Sequence, residues 1–409
     1  MEGDCSALLL LPPPPSELSP VNTEAAYGPA IHGALNHVTA AKTPRLDIAI
    51  AVPASWLETQ GVSRTALFEK AQKALAQTYG LICGTAASQE IELDCPAGVD
   101  ARVFFLLPAR GSSGEQSGGS DDESSFSGPW VNLTTLIESR RAYEILIGVE
   151  SEEGERLLKS FLVPYQTKHR HSPISPRVPG GLCLTNPSNA SPSISASSKA
   201  HTSVAVGGTF DHLHIGHKLL LTATALLAEP KGSQRNPSQI VHLTIGISGD
   251  KLLTKKKFAE QLEGWDQRQQ RVAEFLESVI VFSAAQSASR KIDRIAEPGS
   301  SIECIRATFG SSIMIDYVPI MDPFGPTITN ESISALVVSQ ETRSGGSAIN
   351  EKREEKGWMP LDVFEIDVLE INPADSEESN ANPSPAAFES KISSTEIRRR
   401  IHEKRISAE

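Results

Sequence analysis

Residues 204–228, VAVGGTFDHLHIGHKLLLTATALLA, restrict the fold more than any other stretch of this chain. A short apolar strand runs into a glycine pair. A polar loop carrying His212, His214 and His217 follows, and a helix begins at once. In that helix Ile215, Leu219, Ala223, Leu226 and Leu227 share one face at helical spacing. A strand feeding a helix in this way opens a βαβ unit, which builds a parallel sheet. The pattern continues downstream. Strands are expected at Ile240–Ser248, Ser312–Ile320, Ala335–Ser339 and Leu361–Ile371, and helices at Trp265–Val281, near Gly346–Lys356 and from ISSTEIRRR onward. Residues 203–409 are therefore expected to form an α/β domain with a doubly wound parallel sheet. Ligands of such sheets sit beyond the carboxyl ends of the strands, where the histidine loop lies. A polar insertion around Ala284–Ala307 has no assignable structure.

The first part of the chain also alternates. Residues 6–12, 46–53, 101–109 and 142–149 read as buried strands, and Ser63–Tyr79 and Glu155–Leu162 as helices. This predicts an N-terminal α/β domain over 1–165, in which no catalytic constellation is visible. Gly111–Gly128 is acidic and of low complexity, and reads as a disordered loop. Residues 166–202 are rich in Ser and Pro and read as a linker.

Composition removes several classes of function. A formal net charge of −12 disfavours nucleic acid as the main partner, since a phosphate backbone needs a basic face. No apolar run reaches the roughly 18–20 residues of a membrane span. Cys5, Cys83, Cys95, Cys183 and Cys304 are scattered and never form a CxxC pair, which fits a reducing compartment better than a disulfide framework or zinc site. The N-terminus lacks a basic presequence, so a cytoplasmic location is expected. The run RRRIHEKR leaves nuclear presence open, although a basic helix face near a phosphate site explains it as well.

The glycine loop is neither GxGxxG nor a Walker loop, since Lys218 is not followed by Ser or Thr. What stands there is GGTFDHLHIGH. Gly207 and Gly208 permit a tight turn and close approach. Thr209 offers a hydroxyl, His214 and His217 bracket a helix start that favours an anion, and Gly216 between them leaves room for a planar ligand against the first helical turn. A lone histidine here would be unremarkable, and HxxH without further ligands is a weak metal signal; no metal ligand set is assigned. The second element is KISSTEIRRRI, Lys391–Ile401. Ser393 and Glu396 suit a capping box. Ser393, Ser394 and Thr395 also cluster hydroxyls at a helix start, with Arg398 one turn on, which makes a second anion site.

GTFDxxHxGH after a first strand, paired with ISSTxIR before a terminal helix, resembles the nucleotidylyltransferase superfamily. Within it the chain is most similar to eukaryotic-type phosphopantetheine adenylyltransferases. GISGDKLLTKKKF (Gly246–Phe258), PIMDPFGPTI (Pro319–Ile328) and ALVVSQETRSGGSAINEKREEKG (Ala335–Gly357) extend the likeness. The resemblance covers roughly 203–409 and implies a Rossmann-like nucleotidyltransferase fold. It also implies adenylyl transfer from ATP to 4′-phosphopantetheine, with Mg2+ accompanying ATP. By the same resemblance His217 would stabilise the transition state and His214 would contact phosphates. Lys255 or Lys257 would bridge the reacting phosphates. Gly208, Thr209, Phe210 and Asp211 would line the substrate and ATP site, and Ser393, Ser394, Thr395 and Arg398 would hold the β,γ-phosphates. Val338–Thr342 and Asn350–Arg353 would frame adenine and ribose. The first part resembles the non-catalytic N-terminal region of the animal bifunctional coenzyme A synthase. Without a Walker loop, the kinase activity of that protein is not expected here. A complex with other coenzyme A pathway enzymes is left open. Two rival readings stand beside this one. Nicotinamide mononucleotide adenylyltransferases share both motifs but tend to have Asn where Asp211 stands. A catalytically quiet coenzyme A or nucleotide sensor is the other, although such a decayed site should have lost at least one motif residue.

Overall fold

A computed structural model of the chain describes residues 6–41, 44–57, 63–93, 98–108, 128–182, 199–229, 240–296, 303–367, 369 and 393–407. The chain divides into two compact units. The first is drawn from Met1–Ser198 and Val279–Ala288, the second from Lys199–Ser278, Ser289–Leu369 and Ser376–Glu409. The described residues include no helix long and apolar enough to cross a membrane.

The first unit is an all-parallel sheet. Its strands are β1 (Ser6–Leu11), β2 (Arg45–Ala51), β3 (Asp100–Leu107), β4 (Trp130–Asn132), β5 (Tyr143–Glu150) and β6 (Arg177–Pro179), in spatial order β4-β3-β2-β1-β5-β6. Every residue of β1 is buried, as expected of a central strand covered on both faces. Helices α1 (Pro20–Ala40) and α2 (Arg64–Ser88) pack together, as do α3 (Leu133–Glu138) and α4 (Glu152–His169). Leu158, Phe161 and Tyr165 of α4 join Leu8, Leu10, Phe104 and Leu146 in one core. Phe282 completes that core, with its ring 4.9 Å from that of Phe104 and the Arg141 guanidinium 3.8 Å above it.

Three expectations for this half change. Helix α1 was not legible in the sequence, because PVNTEAAYGPAIHGALNHVTA carries Gly28, Pro29 and Gly33. Helix α4 is longer than Glu155–Leu162 and runs to His169. The linker expected from residue 166 begins later, because β6 pairs in parallel with β5 at Gly148↔Arg177 and Val149↔Val178. Gly33 makes room for this strand, as a Cβ there would lie 2.7 Å from Val178. The low-complexity loop 111–127 and residues 183–198 lie outside the described residues.

The second unit contains β7 (Ser203–Gly208), α5 (Ile215–Leu227), β8 (Val241–Ser248), α6 (Asp250–Leu253), α7 (Trp265–Ile280), β9 (Arg290–Ala296), β10 (Glu303–Phe309), β11 (Ile313–Ile320), β12 (Ala335–Val338), α9 (Arg343–Glu355), β13 (Asp362–Glu365) and α10 (Ser394–Ile406). The short helix α8 (Ala284–Ala288) falls in the segment that belongs to the first unit. The strand order is β13-β12-β7-β8-β11-β10-β9. Strands β13, β12, β7, β8 and β11 are parallel, and β10 and β9 continue the sheet antiparallel. The polar insertion is therefore a β-hairpin at the sheet edge together with α8. Its edge strand β9 is largely exposed, with Arg290, Lys291 and Arg294 among the exposed residues, which explains its polar composition. The last expected strand is shorter than Leu361–Ile371 and spans Asp362–Glu365. From β7 the chain moves outward through β8 and β11, then returns to the other side of β7 for β12 and β13. The order reverses between β7 and β12, and the histidine loop leaves the carboxyl end of β7 beside that crevice. Free Cys83 and Cys304 are both buried.

Candidate active site

The loop between β7 and α5 is bent by two non-glycine residues in the left-handed region, Phe210 at φ 50° and His212 at φ 45°. This conformation costs roughly 1–2 kcal/mol per residue and persists only where the surroundings over-determine it. Phe210 is fully buried, with its ring 5.3 Å from that of His217. A Cβ on Gly208 would come within 2.9 Å of the same ring, so the glycine makes room for Phe210. His212 donates its amide to Glu263 Oε2 (3.0 Å), and its Nε2 lies 2.8 Å from the Gln261 carbonyl. His212 and Phe210 thus shape the loop. Phe210, expected among the substrate contacts, is instead a core residue.

His214 is the N-cap residue of α5 and makes no side-chain capping bond. Its ring stacks on His217 with centroids 3.9 Å apart and planes 25° apart. It also lies over Gly216, where a Cβ would sit 3.2 Å from its Cε1. The space expected above Gly216 for a planar ligand is thus used by His214 itself. The rings are half-buried, but the Nδ1 atoms of both are enclosed and have no hydrogen-bond partner among the described residues. Orphaned buried nitrogens are uncommon and mark capacity for a ligand or water.

Burial, reinforced by the neighbouring His212, pushes His217 down to about 3. Burial, then the charges of His217, Lys218 and His212, holds His214 well below the ordinary imidazole value of 6.5. Both rings are neutral at physiological pH. Below about pH 6.5 the unfolded chain takes up protons at these histidines, while folded His217 refuses one until about 3. Stability should therefore fall as pH drops through that window. Thermal unfolding between pH 7 and pH 4 checks this, and a His214→Gln, His217→Gln double variant should show a shallower decline. An equal decline would show that other groups govern acid unfolding.

Asp211, expected to line the substrate and ATP site, and Arg398, expected to hold phosphates, are committed to each other. Asp211 is fully buried and Arg398 is 2% exposed, and Arg398 Nη1 donates to Asp211 Oδ2. Asp211 Oδ1 also accepts the Glu263 amide (3.0 Å). The other Arg398 donors reach the Lys257 carbonyl (3.0 Å) and Thr395 Oγ1 (3.1 Å). Ser394 Oγ donates to the Asp211 carbonyl (2.9 Å) and lies 3.3 Å from His214 Nε2. Ser393 caps α10 by accepting the Glu396 amide (3.3 Å), and Glu396 pairs with Arg399 and Arg400. The ISSTxIR side chains therefore fasten α10 to the histidine loop. The part of this motif suited to an anion is the main chain at Ser394 and Thr395, whose amides precede both the Ser393 cap and the intrahelical ladder.

Thr209 is half-buried at the mouth of the loop, and its carbonyl accepts from Arg268 Nη1 (2.6 Å). Lys255 and Lys257 are exposed, in the segment between α6 and α7. The structure brings the Asp211–His217 loop, the Lys257 main chain and the start of α10 together. Asn350 and Arg353 are elsewhere engaged. Asn350 brackets the Leu361 main chain (3.0 and 2.8 Å), and buried Arg353 donates to the carbonyls of Thr327, Asn330, Glu331, Ile333 and Met359. Arg353 thus braces the chain that follows the DPFGP turn, and Asn350 the entry to β13. Two residues of the site escaped the sequence reading, Glu263 and Arg268. Both look like solvated helix charges in LEGWDQRQQR, and only their burial reveals them.

The second unit is thus an α/β domain whose parallel sheet carries a glycine–histidine loop at its switch crevice, fastened to a second helix start rich in hydroxyls. Residues 205–400 match the family described as cytidylyltransferase-like. Residues 1–184 match a family described only as a domain of unknown function. Phosphopantetheine adenylyltransferase of Saccharomyces cerevisiae is 34% identical over 195 residues, 48% of this chain and 47% of that protein. Phosphopantetheine adenylyltransferase of Pyrococcus furiosus is 29% identical over 171 residues, 42% of this chain and 80% of that protein. An uncharacterized protein of Schizosaccharomyces pombe is 37% identical over 165 residues, 40% of this chain and 39% of that protein. The matched stretches span less than half the length of the Saccharomyces and Schizosaccharomyces relatives.

Proposed function

We propose that the second unit transfers the adenylyl group of ATP to 4′-phosphopantetheine, giving dephospho-coenzyme A and pyrophosphate. The observation that carries this reading is the stacked, neutral His214–His217 pair at the uncapped start of α5, with α10 fastened beside it through Ser394. The names of the Saccharomyces and Pyrococcus relatives support the choice of acceptor. An oxygen of the acceptor phosphate forms a bond to the α-phosphorus of ATP. The bond from that phosphorus to the α,β-bridging oxygen breaks, and its electron pair leaves with pyrophosphate. No protein nucleophile is needed, so positioning and charge stabilisation supply the rate. Neutral His217 donates one N–H to the α-phosphate oxygens as charge builds there. The first-turn amides of α10 take the β,γ-phosphates, and the exposed ammonium groups of Lys255 and Lys257 neutralise the incoming phosphate.

Mg2+ belongs to this proposal as the companion of ATP. Among the described residues no group of three or more His, Cys, Asp or Glu side chains is placed to hold a metal ion, and Asp211 is spent on Arg398. The donors present fit phosphates, so the ligands of the ion would be phosphate oxygens and water.

The test is an endpoint assay on the purified full chain with ATP, Mg2+ and 4′-phosphopantetheine, with nicotinamide mononucleotide as the parallel acceptor and products identified by mass. Dephospho-coenzyme A with pyrophosphate is expected. A dinucleotide would keep the chemistry and overturn the acceptor. Neither product, with coenzyme A still bound, would favour a sensor.

A further inference from the structure

Arg268 sits in the first half of α7, in a run, DQRQQR, that reads as a solvated helix face. It is nevertheless fully buried. Its guanidinium makes four hydrogen bonds: Nε to the Glu263 carbonyl (2.9 Å), Nη1 to the Thr209 carbonyl (2.6 Å), and Nη2 to the Ser248 carbonyl (2.8 Å) and Asp250 Oδ1 (2.7 Å). These acceptors come from separate parts of the site. Ser248 ends β8, Asp250 opens α6, Glu263 closes the segment that carries Lys255–Lys257, and Thr209 stands in the histidine loop. One planar fork therefore ties both ends of the lysine segment to each other and to the loop. At mid-segment Arg398 Nε holds the Lys257 carbonyl. The lysine side chains are exposed, so their placement is set by the main chain beneath them, and Arg268 anchors that main chain.

We propose that Arg268 is a positioning residue for nucleotidyl transfer: it fixes where the lysine segment stands relative to the histidine loop. This rests on the adenylyl-transfer reading above for what the segment does, but not for how it is held. Lysine cannot replace arginine in this role, because a point ammonium cannot reach four acceptors in a fixed planar geometry. An error of about 1 Å in such a support can cost on the order of a hundredfold in rate.

The test is Arg268→Lys in the full chain, read three ways. Hydrogen exchange should quicken on the order of tenfold between Asp250 and Glu263, while the strand amides of β8 stay protected. The kcat with 4′-phosphopantetheine should fall roughly 10- to 100-fold. The calorimetric Kd for ATP should stay within about threefold of the native value, since the α10 amides are untouched. Wild-type exchange in the segment together with wild-type kcat would overturn the proposal, and so would a rate loss that only tracks the folded fraction. Should Arg268→Lys fail to fold, Asp250→Ala removes one acceptor on a side chain that is 61% exposed. It should move exchange and kcat in the same directions by smaller factors, and no movement in either would overturn the proposal. If the wild-type chain itself makes no dephospho-coenzyme A, the acceptor reading fails. The exchange comparison then still decides whether Arg268 holds the segment.

Discussion

His217→Ala is expected to reduce turnover by roughly a hundred- to a thousandfold, the usual cost of losing one preorganised donor to a developing oxyanion. That corresponds to about 3–4 kcal/mol of transition-state stabilisation. The KM for ATP should change little, because the donor acts mainly as charge accumulates on the α-phosphate. Folding should survive. The ring is half-buried, and its contacts are the stack on His214 at 3.9 Å and the tilted contact with Phe210 at 5.3 Å. Alanine gives these up but also removes an enclosed Nδ1 with no partner among the described residues, which offsets part of the loss. Single-turnover kinetics and thermal unfolding on the same preparation check the two halves of the expectation. Full activity in a folded His217→Ala variant would sink the site assignment.

The second large effect is on stability. At the level of sequence Arg398 reads as a phosphate ligand, so its loss should mainly weaken ATP binding. The structure changes that expectation, because Arg398 and Asp211 form an ion pair with side chains 2% and 0% exposed. Arg398→Met leaves the Asp211 carboxylate buried with the Glu263 amide as its remaining described donor. Breaking a buried pair from one side typically costs about 3–5 kcal/mol. Because Arg398 also holds the Lys257 carbonyl and Thr395, α10 should loosen from the histidine loop, and activity should fall together with stability. The double variant Asp211→Asn, Arg398→Met should recover part of the lost stability, since no uncompensated charge stays buried. Denaturant unfolding of the four proteins in the cycle measures this coupling. If Arg398→Met unfolds like the wild type and only its ATP affinity drops, Arg398 is a direct phosphate ligand after all.

The contrast between these residues shows how far the sequence could be read. The strand–loop–helix pattern of 204–228 places His214 and His217 at the carboxyl end of a central strand with no further information. Local chain geometry dictates it: an apolar run, two glycines and a 3.6-residue repeat admit few alternatives. The ISSTxIR helix start was legible for the same reason. What each side chain does there was not. Phe210, Asp211 and Arg398 belong to residue types that suit a ligand site, yet their burial commits them to one another and to the loop. Gly216 looked like room for a ligand and holds the His214 ring.

Long-range partners explain the remaining differences. Helix α1 forms despite Gly28, Pro29 and Gly33 because its buried face, Ala26, Ile31 and Leu35 among them, packs into the first unit. Packing of this kind overrides weak intrinsic propensity. Strand β6 has only three residues and exists because β5 offers it a free edge. Arg268 and Glu263 read as surface charges until the turn of the chain after β8 closes over them. The sequence alone determined the class of fold, the order of its units and the place of the histidine loop at the end of a central strand, since these follow from short-range periodicity and turn chemistry. The tertiary structure alone decided which charged groups remain available to a ligand, because the Asp211–Arg398 pair and the Arg268 fork join residues far apart in the chain.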